Sequence, residues 1–346
     1  MTNNPQPDPD DWVDALLVLP RLRVQNANAI SSPMTWGFPA ITAFVGFMVA
    51  LERRLGAQAG IRFQGVGVVC HSFEPQVTVG GYTRSFSLTR NPVQQDGSTA
   101  GIVEEGRVHL DITLVFDVQI SARHLGEPER RALALVVADV VAGMRCAGGS
   151  VMPPLPGLGN RPARPLLAQL PEDPAEKVKT FRRLARRWLP GFALVARDDL
   201  LQSRLATLQQ TDPQTTALDA WLDLSRWTHR ASKRSKDNAT GPVETVHWAM
   251  DPRQGWTVPI PVGYTALSAL HPAGTVGSAR DLSTPLRFVE TVYSIGQWVS
   301  PHRLQALSEL VWYGRHDPAT GLYRCNNHYP PPTLPQPDPQ ADLAPV

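Results

Sequence analysis

Residues 15–24 read ALLVLPRLRV and residues 107–120 read RVHLDITLVFDVQI. The first opens on a fully apolar run and then alternates, with Leu22 and Val24 set against Arg21 and Arg23. That is the pattern of a strand buried on both faces at its start and on one face at its end. The second alternates from Val108 through Leu110, Ile112, Leu114 and Phe116, as a half-buried strand does. Between them a polar, Asn/Ser/Pro/Gly-rich segment, QNANAISSPMTWGFP, predicts a loop. Pro39 then starts a helix over AITAFVGFMVALERRLG, with Gly56 as its stop. Residues 63–73 (FQGVGVVCHSF) and 76–88 predict two more strands, and TRNPVQQDGSTAGIVEEG is a polar connection too long for a tight hairpin turn.

Working outward, a second helix is expected over Glu129–Met144, ending in the Gly-rich turn RCAGGS. A Pro-rich stretch (152–174), a basic helix over Ala175–Leu189 and a short strand at Phe192–Val195 follow. The order β–α–β–β–α–β, with an insertion before the last strand, predicts an α+β chain with a ferredoxin-like core of the RNA-recognition type. The expected division is a disordered tail at 1–11, a core over 12–199, a mixed, partly helical region over 200–330 and a second disordered tail at 331–346. Within that last region helices are expected at Leu200–Leu208, Ala217–Trp227, Leu286–Trp298 and Pro301–Trp312. A short strand is expected at Trp256–Ile260, and an exposed polar loop at SKRSKDNATGPVE.

At 346 residues the chain is long enough for about two domains. Its net charge of +2 comes from 33 Lys+Arg against 31 Asp+Glu, of which only Lys177, Lys179, Lys233 and Lys236 are lysine. Both tails are rich in Pro and Asp and cannot bury enough apolar surface to offset ordering entropy. They hold five acids and no Lys or Arg, so residues 12–330 carry +7. The start lacks a basic n-region and an apolar h-region, so no signal peptide is expected. The longest apolar run, Phe38–Leu51, is too short for a bilayer. Three scattered cysteines favour free thiols in a reducing cytoplasm.

Four constellations point to chemistry. Arg182, Arg183, Arg186 and Arg187 stack at i,i+4 opposite the stripe Val178, Phe181, Leu184 and Trp188. Such a face fits a phosphate backbone, a solvated surface or acids elsewhere in the fold. The segment after the first strand offers Asn26, Asn28 and Ser31 beside Trp36, fit to pair with base edges and stack on splayed bases, or to form side-chain-stabilised turns. The polar connection has Arg90, Asn91 and Arg107 near its base, as either a grasping hairpin or a surface loop. Arg145, Gly148 and Gly149 form a turn whose backbone N–H groups can approach an anion, or a plain helix stop.

Enzyme signals are thin. Cys325-x-x-His328 is half a zinc site, Gly65-Val-Gly67 lacks the third glycine of a dinucleotide fingerprint, and there is neither a phosphate-binding GxxxxGK nor a GxSxG elbow. The aromatic consensus of RNA-recognition sheets is also missing. No metal, cofactor or catalytic residue is expected.

LVLPRLRVQNANAISSPMTWGFPAITAFVGFMVALERRL, LTRNPVQQDGSTAGIVEEGR, MRCAGGSVMP, RRLARRWLPGFALVAR, GWTVPIPVGYTALS and RFVETVYSIGQWVSPHRLQALSELVWY together resemble one family, over about residues 14–325. It is the second Csy protein of the type I-F CRISPR surveillance complex (Cascade), a RAMP-type fold with a thumb-like hairpin. The resemblance implies a non-catalytic, cytoplasmic subunit that binds the 5′ handle of crRNA. Its implied partners are the large Csy subunit, as a heterodimer, and the six-copy filament of the main backbone subunit, with target DNA a neighbour and no membrane. It makes residues 80–107 the thumb, Arg145–Ser150 a glycine-rich loop against the handle, and the basic helix a face toward RNA or the large subunit. The RNA-binding set is then Arg21, Arg23, Asn26, Asn28, Ser31, Trp36, Arg90, Asn91, Arg107, Arg145, Gly148, Gly149 and the four helix arginines. Two other readings stay open: an endoribonuclease with His71 or His109 as general base, and a protein-only scaffold.

Overall fold

A computed structural model describes residues 12–81, 83–90, 93–94, 96–153, 164–238, 241–250, 253–279 and 281–329. Both expected tails, Asn91 and part of the Pro-rich stretch lie outside these residues.

Strand β1 (Trp12–Asn28) runs past the expected end and takes up the start of the predicted loop. Two bulges, at Leu19/Leu22 and Val24/Ala27, let it continue through Pro20 and the polar Gln25-Asn26 pair. A small ladder, β2 (Ile30–Ser32) with β3 (Thr35–Trp36), leads into α1 (Ile41–Leu55), which buries Ile41, Phe44, Phe47, Met48 and Leu51. Next come β4 (Ile61–Pro75) and, in place of the single strand expected at 76–88, a hairpin of β5 (Val77–Gly80) and β6 (Thr83–Phe86). A second small ladder joins β7 (Leu88–Arg90) to β8 (Ile102–Glu104). β9 (Arg107–Ser121) and α2 (Glu127–Ala142) follow, close to their expected bounds.

The RCAGGS segment is a hairpin rather than a helix stop: β10 (Arg145–Cys146) pairs with β11 (Gly149–Met152) across Ala147-Gly148. Both turn residues have positive φ, 48° and 79°, which matches the right-handed twist of the flanking strands. An L-residue in that region is strained by roughly 1–2 kcal/mol. Ala147→Gly is therefore expected to raise the thermal midpoint by a few degrees, readable by calorimetry.

β12 (Leu166–Gln169) stands where only a Pro-rich linker was expected and pairs antiparallel with β1 along Ala15–Val18. α3 (Pro174–Ala185) starts on an Asp173 cap that accepts the Glu176 N–H at 2.8 Å. β13 (Phe192–Ala196) then pairs with β4 at Phe192↔Cys70. Helices α4 (Asp198–Gln209) and α5 (Ala217–Ser225) follow, the latter with a Thr216/Asp219 capping box. The described part of the polar loop predicted at 232–244 belongs to a long hairpin, β14 (His229–Asn238) with β15 (Gly241–Met250).

β16 (Trp256–Ala266) pairs with β17 (Val289–Val299), which corrects the helix expected at 286–298. β-Branched and aromatic residues dominate there (Val289, Thr291, Val292, Tyr293, Ile295), and such side chains favour a pleated surface. The helix expected at 301–312 shrinks to α6 (Leu307–Leu310), followed by β18 (Trp312–Asp317) and β19 (Leu322–Asn327).

The fold is thus a mixed α+β chain built on one large antiparallel sheet. On one side the strands run β12-β1-β9-β4. On the other, β4, β13, β17, β16, β19 and β18 pair in succession, and β18 returns to β4 at Trp312↔Val66, closing a ring. Gly67 makes room for this closure: a Cβ there would meet the Leu310 side chain at 2.4 Å. α1 and α2 cover one face through Phe44, Leu51, Leu133 and Val137 over Leu17, Leu114 and Val68. α3, through Phe181 and Leu184, and the turn after it, through Trp188, cover the other face over Leu16, Val115 and Val69. The ALLVL run is buried because it is covered on both sides.

Candidate nucleic-acid interface

The bulged end of β1, the start of β9 and the β10–β11 hairpin converge at one mouth of the sheet. Asn26 sits at the second bulge with φ 57°, and its N–H donates to Nδ1 of His109 at 3.2 Å. The Asn28 N–H donates to the Ala147 carbonyl at 2.9 Å, which ties β1 to the hairpin turn. Asn28 also folds its amide onto Ile30, accepting at 3.1 Å and donating at 2.8 Å. Gly149 seats the hairpin, since a Cβ there would come within 2.6 Å of the Gln25 carbonyl and 2.7 Å of the Ala27 nitrogen. Gly149 is therefore a residue of close approach, and Gly148, with open space around it, is the one at the surface.

Two cavities adjoin here and share Arg145. One, of about 400 Å³, is lined by Gln25, Asn26, Arg107, Arg145 and Ser150, with Glu105 and Gln76 on its walls. The other, of about 650 Å³, runs past Asn28, Ser31, Arg145 and Gly148 to Tyr264 and Tyr323. Arg145 is exposed and folds onto the Gly148 carbonyl through Nη2 (2.7 Å) and Nε (3.0 Å). Arg107 is engaged by Glu105, at 2.5 Å from Nη2 and 3.1 Å from Nε. Guanidiniums on neutral or single-carboxylate partners, ringed by amides and hydroxyls, match the chemistry of a phosphate with its neighbouring base edges.

Other expected contacts lie elsewhere. Arg21 has φ 56° and pairs with Asp111 at 3.1 Å, near the Thr113 hydroxyl that His71 also engages. Arg23 is half-buried, opposite Asp111 and Met152 in the ladders. Neither lines the two cavities. Trp36 is 55% exposed, packs edge-on against Phe86 at 5.6 Å and faces an aromatic cleft of about 410 Å³, shared with Phe192, Trp256 and Trp298, that meets the second cavity at Ser31 and Pro39. The backbone of Arg90 pairs with Ile102; its side chain, like Asn91, is outside the described residues.

The four arginines are exposed, Arg182 and Arg183 on α3 and Arg186 and Arg187 on the 3-10 turn (Arg186–Trp188) that replaces the end of the helix expected through Leu189, and none is paired with a carboxylate among the described residues. Arg182 donates to the Gln305 side chain instead. Lys177 and Lys179, by contrast, pair with Asp14 (2.9 Å) and Glu176 (3.1 Å). The four line neither cavity and form a separate basic face. The polar connection carries exposed apolar side chains at Val93, Ile102 and Val103, and the strands before it expose Val79 and Leu88. Gln76, Tyr264 and Tyr323 were not anticipated at the site. The two tyrosines come from β16 and β19, cross-strand partners that no local pattern places near residue 28.

A large antiparallel sheet gathers amides, hydroxyls and guanidiniums at its mouth, groups with the chemistry to meet an anionic, hydrogen-bonding ligand. Residues 17–325 match the family described as CRISPR-associated protein (Cas_Csy2). The chain is also 48% identical over 313 residues to the CRISPR-associated protein Csy2 of Pseudomonas aeruginosa (strain UCBPP-PA14), covering 90% of this chain and 94% of that one. The chain belongs to this family, the second Csy protein of type I-F CRISPR systems.

Proposed function

We propose that the mouth around Arg145 holds the 5′ handle of crRNA, and that the chain acts as a non-catalytic subunit of the type I-F complex. With the large Csy subunit it clamps the handle and caps the six-copy backbone filament. The observation that carries this reading is the meeting of Asn26, Asn28, Arg107 and Arg145 around two adjoining cavities, although they come from three separate parts of the chain. Single-stranded RNA is read through unstacked bases and phosphates together, and this mouth offers groups for both. Two weak half-sites joined in a heterodimer gain from each other's effective concentration.

The ferredoxin-like reading rests on the strand order β12-β1-β9-β4, with α1 and α2 on one face. In chain order β1-α1-β4-β9-α2-β12 is a βαββαβ unit, and β12 rather than β13 supplies its last strand. The hairpins between β4 and β9 would be the thumb. Binding rather than cutting is supported by the two histidines. His71 is engaged at both ring nitrogens, by the Pro190 carbonyl (2.6 Å) and the Thr113 hydroxyl (2.7 Å), and burial lowers its pKa. His109 spends Nδ1 on the Asn26 N–H. Burial also pushes the Cys70 and Cys146 thiols up to about 12, far from a reactive thiolate at neutral pH. All three cysteines are free, in keeping with the cytoplasm, and no described helix is long and apolar enough to cross a membrane.

The test is photocrosslinking of the assembled complex with a crRNA carrying 4-thiouridine or another photoactive base at each handle position. Crosslinks are expected at peptides containing residues 25–31 and 145–150. Handle crosslinks confined to the large subunit, or a metal-independent cut in precursor RNA by the pure chain, overturn the proposal.

A further inference from the structure

We propose that this chain carries a second phosphodiester-binding site, an arginine-lined pocket at the base of the β14–β15 hairpin. The pocket, about 450 Å³, lies among α4, the end of α5, the start of β14 and the turn before β16. Its charged lining is Arg204, Arg226, Arg230 and Arg253, with one carboxylate, Asp223. Asp223 is shared by Arg204 (2.6 Å) and Arg226 (2.8 Å). Arg253 lies 4.3 Å over the Trp227 ring, and its Nη2 is buried without a hydrogen-bond partner among the described residues. A buried, unpaired guanidinium donor is unfavourable unless an acceptor reaches it. A tetrahedral oxyanion can accept from several guanidiniums at once, and the hydroxyls of Ser203 and Thr257 on the walls suit its remaining oxygens.

The hairpin says that the anion belongs to a polymer. Residues 226–236 read RWTHRASKRSK, five cations with no acid among them. The tract leaves the pocket along β14, whose 10 residues span about 33 Å. Trp227 (62% exposed) lies within the tract, and Trp248 (64% exposed) stands beside it, opposite Ala231. Cations interleaved with exposed aromatic rings track a phosphate backbone and stack bases; an acidic protein segment would engage the cations alone and leave the open Trp248 ring unused. The pocket shares no lining residue with the mouth at Arg145 and stands whether or not that mouth holds the handle.

The experiment measures fluorescence anisotropy of the full chain with two labelled probes, a dodecauridylate RNA and a 12-bp DNA duplex. It is run in wild type and in an Arg107→Gln/Arg145→Gln background, so that failure at the handle mouth is read separately. Arg226→Gln/Arg253→Gln is expected to weaken at least one probe about tenfold. Its salt slope should fall by about 1.4 for RNA or about 1.8 for duplex, and the probe that loses affinity identifies the strand type. Arg226→Lys/Arg253→Lys should keep most of the slope, and a control pair on exposed α1 and α2 positions, Arg53→Gln/Arg131→Gln, should change binding less than about twofold. Should the double variant fail to fold, Arg226→Gln alone, at a side chain 65% exposed, is expected to show half the slope change. Wild-type affinity in the variants, an equal loss in the control pair, no binding of either probe, or preferential displacement by polyglutamate overturns the proposal.

Discussion

Arg107→Gln/Arg145→Gln is expected to lower the affinity of the chain, paired with its large subunit, for handle RNA by about 100-fold. A charge-assisted hydrogen bond contributes about 1.5–3 kcal/mol, and 1.4 kcal/mol is a factor of ten, so two such bonds support that size of effect. The salt slope should flatten by about 1.4, two single-strand phosphate contacts. The two arginines are not equivalent. Arg145 leans on a neutral carbonyl and can turn to a phosphate at little electrostatic expense. Arg107 donates to Glu105 on the cavity wall, so its removal both deletes a donor and takes one positive partner from that carboxylate. Arg107→Gln alone should therefore cost more than Arg145→Gln, and Glu105→Gln should restore part of the Arg107→Gln loss. A filter-binding series over salt concentration checks all four variants. Unchanged slopes, or no rescue by Glu105→Gln, would remove these arginines from the interface.

What the sequence disclosed was set by how local each signal is. The ALLVL run, the alternation over 107–120 and the Arg face opposite Phe181, Leu184 and Trp188 are short-period patterns, and the strands and α3 sit close to where they were expected. RFVETVYSIGQW misled because its apolar residues can be fitted to a helical period, while its β-branched content and its pairing with β16 decide for strand. Gly65-Val-Gly67 looked like a broken nucleotide motif; in the fold these glycines let Leu310 and Val311 press onto β4. β12 was hidden in a Pro-rich stretch because a four-residue strand needs only one good neighbour, β1. At the site, Asn26, Asn28 and Arg145 were legible as types, but their meeting depends on Gly149 lying against Gln25 and Ala27. Tyr264 and Tyr323 were not legible at all, since long-range strand pairing alone brings them there.

That dependence on long-range pairing makes Trp312→Ala the most damaging single change expected for stability. Trp312 is fully buried, stands where β18 meets β4, and donates its indole N–H to the Leu194 carbonyl of β13 at 2.8 Å. One side chain therefore joins three strands of the ring. Truncation of a buried Trp or Phe to Ala costs about 3–5 kcal/mol, and an orphaned buried carbonyl adds about 1–3 kcal/mol. Against a total stability of about 5–15 kcal/mol, the variant should be barely folded or insoluble. Trp312→Phe keeps most of the packing and loses the indole bond, so it should fall between, nearer to wild type. Urea midpoints for the three proteins give the ranking, and an Ala variant within about 1 kcal/mol of wild type would mean the ring does not depend on its closure. Handle affinity should fall with stability in this series, because β16 and β19 carry Tyr264 and Tyr323 to the mouth. The arginine variants should lose affinity at unchanged stability, and that contrast separates the residues that build the mouth from those that bind at it.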